Sequence, residues 1–134
     1  MSADFESFFG RRAEAASAYV NGDAAPLQAL LTPNDEASFH SPGGDSVTGA
    51  KTVANRYEED AKRFAPGSTS RLDVLQKATG DIAFWTGFQD ASVHLAGKDE
   101  PVAMRIRVTE VFRHEDGDWK LIHRHADMAG SGRK

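Results

Sequence analysis

Cysteine is absent from this chain, which removes disulfide staples and thiolate metal ligands together. No apolar run approaches the roughly 18 residues that a membrane-spanning helix needs. The opening Met1-Ser2-Ala3-Asp4-Phe5 lacks the basic and apolar regions of a secretory signal, so a cytoplasmic protein with no membrane contact is expected. Positive charge is not in excess either. Sixteen Lys and Arg against 20 Asp and Glu leave a net charge of −4, whereas binding to phosphate backbones calls for a basic surface; no nucleic-acid partner is expected. What remains is sufficient for a fold. A chain of 134 residues can bury a core without staples, and it reads as one domain over 1–129. The Gly130-Ser131-Gly132-Arg133-Lys134 tail is expected to be disordered. There is no internal repeat and no linker.

Helical spacing dominates the first half. Phe5, Phe8, Phe9, Arg12, Ala16, Tyr19 and Val20 recur on one stripe, with Asp4 placed to cap it. Asn21-Gly22 closes that helix, and Asp23 can cap a short second one carrying Leu27, Leu30 and Leu31. After the Thr32-Pro33-Asn34-Asp35 turn, Ala37, Phe39 and His40 form a short strand stopped by Ser41-Pro42-Gly43-Gly44. Thr48-Gly49 opens a third helix with a buried stripe of Ala50, Val53, Tyr57, Ala61 and Phe64, ended by Pro66-Gly67. The second half is strand: 72–79, 82–95, 102–114 and 119–127. Helices followed by an antiparallel sheet predict an α+β domain with the helices on one sheet face. Which face of 82–95 turns inward is open, because Phe84 and Trp85 compete for the core.

Asp116-Gly117 between the last two strands is a strong two-residue hairpin signal. It sets Phe112 opposite Leu121, Glu110 opposite His123, Val108 opposite His125 and Ile106 opposite Asp127. Period-two alternation then gathers Ile106, Val108, Glu110, Phe112, Trp119, Leu121, His123, His125 and Asp127 on one face. The other face carries Arg105, Arg107, Arg113, Lys120 and Arg124. Because unpaired cations cannot enter a core, the first face is assigned to the helices. A slip of one residue would turn a strand's side chains over.

The segment Met104-Arg105-Ile106-Arg107-Val108-Thr109-Glu110-Val111-Phe112-Arg113, the 115–118 turn and 119–127 together resemble the SnoaL-like branch of the nuclear-transport-factor-two-like superfamily. Phe39-His40-Ser41-Pro42-Gly43-Gly44 with Gly49, Val53 and Tyr57, and Gly80-Asp81-Ile82-Ala83 with Gly87, fit the same pattern. The resemblance implies a cone-shaped α+β barrel. Three N-terminal helices would pack in the concave face of a curved, mainly antiparallel sheet, with dimerisation through the sheet's outer face. It implies little about activity, since such folds serve isomerases, cyclases, dehydratases, epoxide hydrolases and non-catalytic assembly modules.

Two expectations follow. One is a cofactor-independent isomerase, cyclase or hydro-lyase acting on a hydrophobic carbonyl compound by general acid–base chemistry. Its catalytic candidates are His123, Asp127 and Glu110, with His125, Tyr57, Trp85, His40 and Tyr19 around the pocket. The other is a non-catalytic dimeric binding or assembly module with a filled core. A His–acid pair across two strands is equally a polar pair that fixes register, and Trp85 is equally plain core. His40 is placed to guard the mouth. The His123-x-His125 pair with Glu110 and Asp127 is a weak metal signal, and no metal or cofactor is expected. The predicted partners are a hydrophobic small molecule and a second copy of the chain.

Overall fold

The N-terminal stripe folds as helix α1, Phe5–Tyr19, which buries Phe5, Phe8, Arg12, Ala15 and Ala16. The computed structural model describes residues 5–129; the cap expected at Asp4 and the tail expected at 130–134 lie outside the described residues. Helix α2, Ala25–Leu30, buries Leu27 and Leu30, and the Asp23 carboxylate accepts a hydrogen bond from the Ala25 amide at 3.1 Å. Strands β1 (Ser38–His40) and β2 (Ser46–Thr48) precede helix α3, Ala50–Ala61, whose inner stripe is Val53, Tyr57 and Ala61. Then come β3 (Phe64–Ala78), β4 (Ile82–Leu95), β5 (Val102–Glu115) and β6 (Asp118–Met128).

The six strands form one sheet in the order β2-β1-β6-β5-β4-β3. Neighbours are antiparallel except β1 and β6, which run parallel. The sheet is therefore mixed and open, with β2 and β3 at its edges, and three helices pack against it. This is the α+β arrangement expected. Alternation along β4 places Ala83, Trp85, Gly87, Gln89, Ala91 and Val93 in the buried set, so Trp85 takes the core position and Phe84 the outer face. Phe5 and Phe8 meet Trp119 and Phe112 edge-on, with ring centroids 5.2 Å apart in each pair. Those contacts seat α1 on β5 and β6. Among the described residues no helix is long and apolar enough to cross a membrane.

Two expectations about elements need correction. The third helix stops at Ala61, and Phe64 instead begins β3 by pairing with Leu95. Pro66-Gly67 falls within an irregularity of that pairing, between Ala65 and Thr69, where a missing amide hydrogen interrupts no regular ladder. Thr48, expected to open the third helix with Gly49, instead closes strand β2, and Gly49 alone caps the helix.

The third correction concerns the site. Asp116 (φ 51°) and Gly117 (φ 85°) make the expected tight turn, and the pairing runs as predicted out to Phe112 opposite Leu121. There a β-bulge intervenes. Val111 pairs with His123, leaving Ile122 as an extra residue, and Glu110 comes opposite Arg124 rather than His123. A bulge residue shifts the alternation by one. Beyond it, Arg124 and Ala126 are buried, and His123, His125 and Asp127 turn to the outer face.

Candidate functional site

Between the helices and the sheet lies a cavity of about 400 Å³. Its walls are largely apolar, with Ala16 of α1, Leu27 of α2, Phe39 of β1 and Phe64, Met104 and Ile106 of the sheet. Arg12, Arg124, Gln89, Tyr19 and Tyr57 supply the polar lining.

Behind that lining stands Glu110, fully buried on the inward face of β5. Its Oε1 accepts hydrogen bonds from Arg12 Nε at 2.9 Å and Trp85 Nε1 at 2.7 Å. Its Oε2 accepts from Arg12 Nη2 at 2.6 Å and Arg124 Nη1 at 2.7 Å. Arg124 Nη2 also donates to Gln89 Oε1 at 3.1 Å, and Gln89 Nε2 donates to Ser70 Oγ at 3.0 Å. Thus α1 and strands β3, β4, β5 and β6 are joined by one polar chain through the core. Burial alone pushes the Glu110 carboxyl up. The Arg12 and Arg124 charges, with hydrogen bonds from Arg12 and Trp85, outweigh it and bring the carboxyl down to about 2. Burial opposes the charge on Arg12, yet Glu110 beside it raises the guanidinium's pKa overall. All three groups are ionised at neutral pH.

Tyr57 is buried and Tyr19 nearly so. Burial pushes both phenols up from their ordinary value, so each keeps its proton and is a hydrogen-bond donor at neutral pH. Their rings meet edge-on, 6.1 Å apart. At the mouth, Arg56 of α3 bonds Asp45 at 2.6 Å and Asp60 at 2.9 Å, and the Ser41 hydroxyl bonds Asp45 as well. These contacts hold the 41–45 loop beside the opening, and Arg63 adds a further guanidinium there.

The candidates read from the sequence divide between the two faces. Glu110, Trp85, Tyr57 and Tyr19 lie inside, Glu110 and Trp85 behind the lining and the tyrosines on it. His123, His125, Asp127 and His40 lie outside. The His40 ring stands 4.9 Å from that of His123 and 5.3 Å from that of His125. His123 Nδ1 shares a hydrogen bond with Ser38 Oγ at 2.6 Å, and His40 Nδ1 one with Ser46 Oγ at 2.7 Å. Partial burial, then the neighbouring His40 and His125, push the His123 pKa down. Asp127 is bonded by Arg107 at 2.6 Å, which holds its carboxyl low. His40 therefore does not guard the mouth; the 41–45 loop and Arg56 do. The mixed His–carboxylate metal set is likewise parted, Glu110 facing one way and the histidines the other. Among the described residues no group of three or more His, Asp or Glu is arranged to hold a metal ion.

The sequence reading missed Arg124, Gln89 and Arg56, and gave Arg12 no role. Arg12 had a legible signal, a lone cation on an apolar helical stripe facing an inward carboxylate. Arg124 had none, because its inward orientation depends on the bulge.

As chemistry, the arrangement favours binding. A carboxylate with a pKa near 2 and both oxygens engaged is a weak base at neutral pH, whereas guanidiniums and protonated phenols are ready donors.

The family model of the SnoaL-like domain matches residues 12–130. Comparison with curated proteins gives no match. Among solved structures, a nuclear transport factor 2-like superfamily protein from Salmonella enterica superposes with a TM-score of 0.74 at 18% identity, covering 94% of this chain and 91% of its own. A provisional dehydratase of the NTF2-like family from Streptomyces avermitilis gives 0.70 at 23% identity, covering 93% and 94%. The CaMKII hub of S. rosetta gives 0.69 at 21% identity, covering 92% and 95%. At these identities the likeness is one of fold.

Proposed function

This chain belongs to the SnoaL-like domain family, and from that premise we propose that it binds a small molecule of mixed polarity in the cavity between helices and sheet. The observation that carries this reading is an open volume of about 400 Å³ over a floor of buried, mutually bonded charged side chains. A domain with a filled core would place apolar side chains there, because burying three ionised groups is costly unless a site requires them. Volume and lining both suit the pockets that take small organic ligands.

Turnover is the weaker expectation. A carbonyl substrate would find donors in Tyr57 and Tyr19, but Glu110 is a poor base, and His123 and Asp127 stand on the other side of the sheet. A general acid–base role for Glu110 would require ligand binding to release it from two arginines. The dehydratase relative keeps a hydro-lyase activity within reach of the fold without assigning it to these residues.

A second role is compatible with the first. The outer sheet face exposes Leu75 and Ile82, and on the same face Arg105 stacks 3.8 Å from the Phe88 ring and pairs with Asp90 and Asp73. We read this face as the surface where two copies meet, in line with the hub relative and the usual symmetry of small domains.

Ala16→Phe tests the pocket reading by filling the cavity from α1. In a thermal-shift panel of hydrophobic ketones, lactones, acids and amides, a ligand at 100 times its Kd should add about 2.7 kcal/mol of stability. That gain should disappear in Ala16→Phe. Shifts that survive the substitution, or none from any compound, would sink the reading.

A further inference from the structure

The floor of the cavity is not electrically neutral. Arg12 and Arg124 bring two positive charges and Glu110 one negative, and all three are buried, Arg12 at 2%, Arg124 at 9% and Glu110 at 0% exposure. At the rim the charges cancel. Asp45 and Asp60 are both bonded to Arg56, and with Arg63 the lining there holds two of each sign. One positive charge is thus left over, and it resides at the buried end, where an uncompensated charge is most costly.

A second observation falls on the same group. Two buried side-chain nitrogens among the described residues have no hydrogen-bond partner, Arg12 Nη1 and His114 Nε2. Of these residues only Arg12 lines the cavity. Its Nε and Nη2 are spent on Glu110, which leaves Nη1 for something else. A neutral partner, water included, would satisfy that bond and leave the surplus charge buried. A monoanion satisfies both.

We infer that the cavity takes an organic monocarboxylic acid, its carboxylate set against Arg12 and Arg124 and its apolar body against Leu27, Phe39, Phe64, Met104 and Ile106. This rests on the pocket reading above and names the ligand class for it. A carboxylate is acceptor-only and planar, matching guanidinium donors, and the Tyr19 and Tyr57 hydroxyls add donors of the same kind. A cation would find no free acid, since Glu110, Asp45 and Asp60 are all engaged by arginines. A dianion would reverse the imbalance rather than cancel it. At roughly 30 Å³ for each non-hydrogen atom, water's share of its own liquid, the volume holds about a dozen such atoms.

The experiment is calorimetric titration of the full chain at pH 7 with hexanoate, octanoate and 4-phenylbutyrate, each beside its primary amide and its amine. The acids should bind roughly tenfold or more tightly than their amides, with the amines weakest. Arg12→Gln should remove the preference, the acids losing roughly tenfold more affinity than their amides. As a check that needs no variant, the preference should also collapse on lowering the pH below a carboxylic acid's own pKa, ~4. Equal affinity for acid and amide, or a preference for the amine, would overturn the acid inference and leave the pocket standing. Absence of binding by all three classes, or acid binding untouched by Ala16→Phe, would overturn the pocket reading and this inference with it.

Discussion

Glu110 accepts four hydrogen bonds from three side chains contributed by α1, β4 and β6, so its charge is a structural element as much as an electrostatic one. Replacing it by Gln keeps the shape and removes the anion, leaving two guanidiniums buried near each other without a counter-charge. Glu110→Gln should therefore cost about 3–5 kcal/mol, the usual penalty for breaking a buried ion pair from one side; urea unfolding at pH 7 measures it. The pH dependence has a definite sign. The folded carboxyl titrates near 2 against an ordinary 4.5, so the unfolded chain takes up its proton first as the solution is acidified. Glu110's contribution is complete above pH ~4.5 and is lost as the pH falls through 2. The stability gap between wild type and Glu110→Gln should narrow across that window, and a constant gap from pH 7 to pH 2 would contradict the assignment.

At the scale of elements, Gly87 shows how a strand position is fixed by its neighbour. It lies on β4 opposite the irregularity of β3 between Val74 and Gln76, and a Cβ there would collide with the Asp73 carbonyl oxygen and stand 2.9 Å from the Leu75 amide. Both obstacles are backbone, so neither can rotate away. Gly87→Ala should cost about 1–3 kcal/mol, the range for overpacking a close-packed interior, read as a lower urea midpoint. The sequence was legible wherever a pattern is local. The Asp116-Gly117 turn, the bounds of β4, the inward face of β5 and the helix-then-sheet order all follow from alternation, helical spacing and turn chemistry. The bulge in β6 was not, because Ile122 is an ordinary strand residue and nothing beside it marks an extra position. That one residue sent His123, His125 and Asp127 outward and brought Arg124 in. The rule that cations stay out of cores applies to unpaired ones; Arg124 enters because Glu110 awaits it, and the pairing was hidden by the same register. Placement on the helix side of the sheet was therefore legible for Glu110, Tyr57 and Tyr19, all on elements with undisturbed periodicity, whereas period two alone does not choose between Phe84 and Trp85 on β4.

At the scale of the whole molecule, the sheet separates two surfaces of different character. The helix side encloses the cavity; the outer side carries Leu75, 65% exposed, and Ile82, 49% exposed, with Phe88 half-covered beneath Arg105. Association of two copies through this side would bury those groups. Sedimentation equilibrium should give a mass near twice the 14.5 kDa of the chain, and Leu75→Asp should return it to the monomer with the fold intact. A wild-type monomer at all concentrations would count against the shared surface, and ligand binding in the cavity would be unaffected by that result.

The bulge at Ile122 also has a consequence for how such a pocket changes over time. Side chains of β6 obey a parity, odd positions inward before the bulge and even positions inward after it. Straightening the strand at that point with no residue removed, so that Ile122 comes opposite Val111, would carry a single parity along its whole length and exchange Arg124 and Ala126 for His123, His125 and Asp127 in one step. The strand thus stores two alternative inner faces, one cationic and one built of imidazoles and a carboxylate, and a one-residue slip of register past Ile122 is the shift of frame between them.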